Sequence, residues 1–221
     1  MIQQERGKSD TEFSDMAHAG AAMKHRAKFT QREVKLLNAV SSIRDKEKVQ
    51  RLKLEAQKMG IRQGLYVELG LNTGLRSSDL LTLTVGDFRR RGFIVRREKK
   101  TGKETEIRVH PAIVSYVIRC TAEDRDEDLL FRSDHPWAPQ NTPISRATAY
   151  RWVKEACRRA GITEPVGTHT LRKTYGYWFY IKYRDIVALM THFNHTSEAV
   201  TLRYIGYTQG ELNRQTENFL L

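Results

Sequence analysis

Along most of this chain apolar residues recur at helical spacing, and the pattern changes to the short period of a strand in one place. Phe93-Ile94-Val95 and Glu104 to Val109 are β-prone runs separated by Lys100-Thr101-Gly102-Lys103. A glycine in a short link between two such runs signals a hairpin. Two strands cannot form a core alone. The sequence therefore predicts an α+β fold: mostly α-helical, with a small antiparallel β-sheet.

The flanking segments supply the helices. Thr30-Gln31-Arg32-Glu33 has the form of a capping box, and Val34, Leu37 and Val40 follow it, which predicts a helix over about 31–41. Residues 1–28 are polar, charged and small, and read as a flexible N-terminal extension. One domain is expected over 29–221, with 29–60 as its helical lead-in. Residues 44–59 keep Val49, Leu52 and Ala56 on one face before Gly60, and 61–72 is apolar enough for a buried helix stopped by Asn72-Thr73-Gly74. Ser77 or Ser78 is placed to cap a short helix through Leu83. Beyond the hairpin, Pro111 suits the first turn of a helix to about Ala122, and Glu123 to Asp128 reads as an acidic surface loop. Ser145 caps a helix to Ala160, with Gly161 as its left-handed terminator. Thr168 caps a helix over 169–182, followed by helices at about 184–193, from Thr196 or Ser197 through Tyr204, and at 209–218.

Charge narrows the function. The 221 residues carry a net charge of +12, and no apolar run is long enough to span a bilayer. The polar N-terminus has no apolar signal core, and Cys120 and Cys157 form no CxxC pair, so a reducing cytoplasm is expected. A chain this basic, with no membrane signal, points to nucleic acid. Much of the excess lies in 89–103, where Arg89, Arg90, Arg91, Arg96, Arg97, Lys99, Lys100 and Lys103 face a single acidic residue, Glu98. All but Lys100 are candidate DNA-binding residues.

Four separated segments hold residues suited to phosphodiester chemistry. In Thr73-Gly74-Leu75-Arg76-Ser77-Ser78-Asp79, Arg76 follows a glycine break at a helix start, and Asp79 lies three residues on. A guanidinium fork beside helix-start amides suits phosphate oxygens. The hairpin turn projects Lys100. His169-Thr170-Leu171-Arg172 sets an imidazole and a guanidinium on one helix face. Asn194-His195-Thr196-Ser197 is followed nine residues after His195 by Tyr204. A phenol with a free pKa of about 10 attacks phosphorus only with cations and a proton acceptor beside it. Tyr207 is a rival nucleophile, but the spacing favours Tyr204. His192 and His195 are three residues apart with no further ligand nearby, so no metal site is expected.

From about Phe29 to Leu221, in this order of motifs, the chain resembles the tyrosine recombinase (phage integrase) family. TGLRSSDLLTLTVGDF looks like its first arginine box and Lys100-Thr101 like its β-hairpin lysine. HTLRKTYGY looks like its His-x-x-Arg box, and FNHTSEAVTLRYIG like its final His-to-Tyr box. The resemblance implies that Arg76 and Arg172 clamp the scissile phosphate and that Lys100 protonates the departing 5′-oxygen. It implies that His169 assists proton transfer from the tyrosine, that His195 hydrogen-bonds the phosphate and that Asp79 supports the site. Tyr204 would be the nucleophile, forming a 3′-phosphotyrosyl link.

The implied function is site-specific DNA recombination or integration, with no metal or other cofactor and no ATP. The chain has no phosphate-binding G-x-x-x-x-G-K-[ST] loop. The expected partners are double-stranded DNA, other copies of the chain in a tetramer on DNA, and an accessory DNA-bending or clamp protein; no membrane is involved. The expected location is the cytoplasm, in association with the nucleoid. The alternatives are a catalytically silent DNA-binding or accessory protein, or an enzyme of the type IB topoisomerase or telomere resolvase kind. Two positions depart from the family pattern: Asn194 stands where glycine is frequent, and Lys173 where histidine is frequent. Sixty residues precede the apolar helix, too few for the separate clamp domain of roughly a hundred residues seen in typical members. The amphipathic tail ending in Phe219-Leu220-Leu221 either packs in cis or, as the resemblance implies, docks on a neighbouring protomer.

Overall fold

The computed structural model describes residues 40–90, 93–97, 104–207 and 209–217. The expected extension over 1–28 lies outside them, as does the hairpin turn and most of the helix expected over 31–41. The end of that helix is described, and Val40 and Ser41 are not helical.

Helix α1 (Lys46–Met59) starts at Asp45, whose carboxylate accepts the N–H groups of Glu47 and Lys48. It ends at Gly60, where φ is 148°. Helix α2 (Ile61–Thr73) follows at once and is buried from Gly64 through Leu71. A helix this apolar on every face must be enclosed. Gly74, left-handed at φ 62°, stops it.

Short helix α3 (Ser77–Leu80) ends three residues earlier than the sequence predicts, and Arg76 occupies its cap. The two serines have other partners. Ser77 Oγ meets the Tyr66 hydroxyl at 2.7 Å, and Ser78 Oγ donates to Asp79 Oδ1 at 3.1 Å. Leu81 and Thr82 then turn into a bridge between Thr84 and Leu129. A single turn, α4 (Gly86–Arg89), has no counterpart among the helices that the sequence predicts. The hairpin is present: β1 (Phe93–Arg97) pairs antiparallel with β2 (Glu104–Arg108), Ile94 opposite Ile107. Both isoleucines are buried and attach the ribbon to the core.

Helix α5 (Pro111–Cys120) has proline at its start and ends at Cys120; Thr121 leaves helical geometry at φ −122°, with its hydroxyl on the Val117 carbonyl at 2.9 Å. Helix α6 (Arg146–Arg159) is capped by Ser145. Gly161 is left-handed at φ 71°, as its position requires. Helix α7 (Thr168–Tyr183) begins at Thr168 rather than being capped by it; Gly167 is the cap and donates its N–H to Thr170 Oγ1 at 3.0 Å. Helices α8 (Ile186–Phe193), α9 (Glu198–Ile205) and α10 (Gln209–Glu217) complete the described fold.

The buried side chains form two clusters, and α7 lies between them. The larger joins α1, α2, α5, α6 and the hairpin. The smaller is mostly aromatic and holds Tyr177, Phe193, Tyr204 and Ile205 with Leu189. Two glycines allow these close approaches. A Cβ on Gly70 would lie 2.6 Å from Leu171 of α7, and one on Gly176 would lie 2.7 Å from both Phe193 and Ile205. No helix among the described residues is long and apolar enough to cross a membrane.

Candidate active site

Helix α7 starts at the loop after Pro165 and presents His169 and Arg172 from its first turns. Their i, i+3 spacing sets both on the face toward α8 and α9. Arg172 is only 2% exposed. Its Nη1 donates to the Gly74 carbonyl and its Nη2 to the Phe193 carbonyl, at 2.5 and 3.1 Å. Its guanidinium carbon also lies 4.1 Å from the Phe193 ring centroid. One buried side chain thus ties the end of α2 to the end of α8.

Arg76 reaches the same place from the other side. Its Nη2 donates to the Phe193 carbonyl at 3.4 Å. The last carbonyls of a helix carry partial negative charge and lack helical partners. They therefore gather two cations that would otherwise repel each other. Asp79, one turn on, has its Oδ2 buried without a hydrogen-bond partner.

Asn194 ends α8 in the left-handed region at φ 53°. Asparagine tolerates that conformation better than other residues with a side chain, so it can stand where glycine is frequent. The reversal brings His195 back over Phe193 and Tyr204, with ring centroids at 5.3 and 5.1 Å. His195 Nδ1 lies 3.1 Å from Thr201 Oγ1, and burial beside Arg172 and Arg76 pushes its pKa down to about 4.

Tyr204 is 8% exposed, and its hydroxyl lies 3.4 Å from His169 Nδ1. Burial raises the phenol pKa, while Arg172 and Arg76 pull against the rise. His169 is shifted below its ordinary 6.5 by burial and then by Arg172, Lys173, Arg76 and Arg146. A neutral imidazole in contact with a phenol is a proton acceptor, and the cations around them favour the phenolate.

The structure thus brings together Arg76, His169, Arg172, His195 and Tyr204. Lys100, Arg91, Lys99 and Lys103 lie outside the described residues, and Arg96 and Arg97 are described only as backbone of β1. Arg89 is held by the acidic loop: it donates to the carbonyls of Thr121, Ala122 and Asp124 and to Asp126 Oδ1. Arg90 pairs with Asp126 Oδ2 at 2.8 Å, on the surface. The rival Tyr207 packs edge-on against Tyr180 at 5.0 Å. His192 lies 2.7 Å from the Thr73 carbonyl, an interaction that secures the end of α2.

Two residues that the sequence does not mark as site residues also contribute. Thr201 is fully buried, and its hydroxyl donates to the Ser197 carbonyl at 3.0 Å while touching His195. Lys173, also buried, donates to the Val40 carbonyl at 2.8 Å and lies 5.5 Å from the Tyr204 ring centroid. Loss of hydration lowers its pKa to about 8.

The phage integrase family model matches residues 29–210. The chain is 36% identical over 170 residues to the "Probable integrase/recombinase YoeC" of Bacillus subtilis (strain 168), covering 77% of this chain and 91% of that protein. It spans only 43–59% of the Xer-type tyrosine recombinases it matches. The crystal structure of XerA recombinase superposes with a TM-score of 0.65 at 21% identity, covering 90% of this chain and 68% of that one. XerH site-specific recombinase bound to palindromic difH substrate, in its post-cleavage complex, gives 0.65 at 19% identity, with 79% and 51% covered. These last two likenesses are of fold: a mostly helical tyrosine recombinase catalytic domain with a two-stranded sheet. The chain belongs to the phage integrase family of tyrosine recombinases.

Proposed function

We propose that this chain cuts and rejoins DNA at specific sites through a covalent link between Tyr204 and a 3′-phosphate. The observation that carries the reading is the Tyr204 hydroxyl, 3.4 Å from His169 Nδ1 and beside two guanidinium groups gathered at one helix end.

In the step we assign, Tyr204 Oη attacks the scissile phosphorus and its proton passes to His169. Arg76 and Arg172 bind the non-bridging oxygens, where negative charge accumulates in a phosphoryl transition state. The bond from phosphorus to the 5′-oxygen breaks, and Lys100 supplies the proton that this oxygen needs. Rejoining is the reverse, with a 5′-hydroxyl attacking the phosphotyrosine. The phosphoester count is conserved, so no nucleotide is consumed. His195 donates from Nε2 to a phosphate oxygen. That role requires the proton on Nε2, so on DNA binding the Thr201 hydroxyl would turn its proton from the Ser197 carbonyl to Nδ1. Asp79 holds the first arginine box in place. The substrate is double-stranded DNA, and the active form is a homo-oligomer, a tetramer when two sites are joined, aided by an accessory DNA-bending or clamp protein. The rest of the hairpin's basic residues line the DNA path, whereas Arg89 serves the fold.

The test uses nicked duplexes with a randomised core, so that a cleaved end diffuses away and the adduct persists. The wild-type chain should become covalently attached to DNA, and Tyr204→Phe should not. Binding without attachment by the wild-type chain would favour an accessory DNA-binding protein. Relaxation of supercoils without exchange between two sites would favour the topoisomerase reading.

A further inference from the structure

Residues 40–45 approach α1 as a non-helical strap. Their polar groups are fastened to the two helices that carry the site. On the side of α7, Ser41 N–H donates to the Pro165 carbonyl at 2.8 Å, and Ile43 N–H to Thr174 Oγ1 at 2.9 Å. The Trp178 indole donates to the Ile43 carbonyl at 3.0 Å, and the Lys173 ammonium to the Val40 carbonyl. On the side of α9, the Ser42 hydroxyl donates to the Ile205 carbonyl at 3.0 Å and the Arg44 guanidinium to the Gly206 carbonyl.

The last two acceptors close the Tyr204 helix. They lie at and just past the last residue of α9, and a cation there also complements the negative end of the helix. Gly206 is left-handed at φ 77°, and a Cβ on it would lie 2.7 Å from Arg44 Nη2. The seat therefore needs glycine for its backbone and for the approach of the guanidinium. The same guanidinium pairs with Glu211 of α10 at 2.8 Å and lies 5.1 Å from the Tyr177 ring centroid.

We infer that Ser42 and Arg44 are positioning residues for the nucleophile. They clamp the carbonyls that follow Tyr204, so the phenol is held at His169 by a strap that comes from the N-terminal side of the domain. Helix α10 joins the same clamp through Glu211. The inference rests on the reading of Tyr204 as nucleophile.

The experiment measures single-turnover adduct formation by the full chain on the nicked duplexes, with DNA affinity and the reactive fraction measured alongside. Arg44→Met should slow attachment by about tenfold or more, since small misplacements of reacting groups are costly. The DNA concentration for half-saturation and the reactive fraction should stay within about twofold, the pattern of a lost rate rather than a lost complex. Arg44→Lys, which keeps the cation at the helix end, should restore the rate to within about threefold of wild type. Ser42→Ala should slow it by about threefold to tenfold. If Arg44→Met does not fold, Arg44→Lys and Ser42→Ala decide. Wild-type rates in Arg44→Met and Ser42→Ala, or a reduced reactive fraction reacting at the normal rate, would overturn the inference. No adduct from the wild-type chain would instead overturn the nucleophile reading.

Discussion

Arg76 and Arg172, 96 positions apart, donate to the same oxygen, the Phe193 carbonyl, at 3.4 and 3.1 Å. This convergence at the end of α8 assembles positive charge next to Tyr204, with backbone carbonyls as counter-charge. A phosphate oxygen arriving there would meet both guanidinium groups at once.

Removing either arginine should therefore affect chemistry more than binding. Arg172→Ala should reduce adduct formation by about 10²-fold or more, as loss of a preorganised donor does elsewhere. It should also lower thermal stability, because Arg172 ties Gly74 to Phe193 in the interior. Arg76→Ala, whose residue is half-buried, should show a similar rate loss with a smaller change in melting temperature. Rate measurements and thermal melts on the two variants separate these effects.

The pH dependence of attachment should report His169. Its pKa is held below 6.5 by burial and by the neighbouring cations, so it stays neutral and able to accept a proton at neutral pH. The rate should be sustained as pH falls to 6.5 and should decline only below it. His169→Gln should be slower by about 10²-fold or more and should lack that acid limb. A wild-type profile that already declines above pH 7 would contradict this assignment.

Stability should depend on His195 with a definite sign. Its pKa in the folded chain is about 4, against an ordinary value of 6.5, so between these values the unfolded chain binds more protons. Stability is then fully present above pH 6.5 and is lost progressively as pH falls toward 4. His169 contributes in the same direction. His195→Gln should flatten the slope of unfolding free energy against pH across that window, and urea melts at several pH values measure it.

Arg89 and Arg90 are sequence neighbours with different expected behaviour. Arg89→Ala should destabilise the fold by about 2 kcal/mol, because it strands several carbonyls of the acidic loop. Arg90→Ala loses one exposed ion pair and should change stability by less than about 1 kcal/mol. If the basic residues near the hairpin turn form the DNA path, charge reversal there should flatten the salt dependence of binding, while Arg89→Ala should leave it unchanged.

The difference between these two arginines shows where sequence reading stops. Counting charges over 89–103 locates a basic stretch, but it cannot reveal that residues 121–126 fold back to take the donors of Arg89. The helices are legible because their end signals are local: Gly60, Pro111, Ser145 and Gly161 each mark an end within a few residues. Short α3 is less legible, since Ser77 and Ser78 look like caps but bond to Tyr66 and Asp79. The spacing of His169 and Arg172 on one face follows from helical geometry. Their meeting with Arg76 does not, because it is organised by the carbonyl of Phe193, which no side chain in the sequence signals. The same holds for Lys173, whose partner is the Val40 carbonyl, and for Thr201, whose partner lies six residues back in a turn.

The most direct measurement identifies the residue that becomes attached to DNA. The wild-type chain is trapped on a nicked duplex, digested with protease, and the DNA-linked peptide is sequenced by mass spectrometry. A single peptide carrying the 3′-phosphate on Tyr204 is expected. Attachment at Tyr207 or at any other side chain, or a chain that binds the duplex tightly and never becomes linked to it, would contradict it.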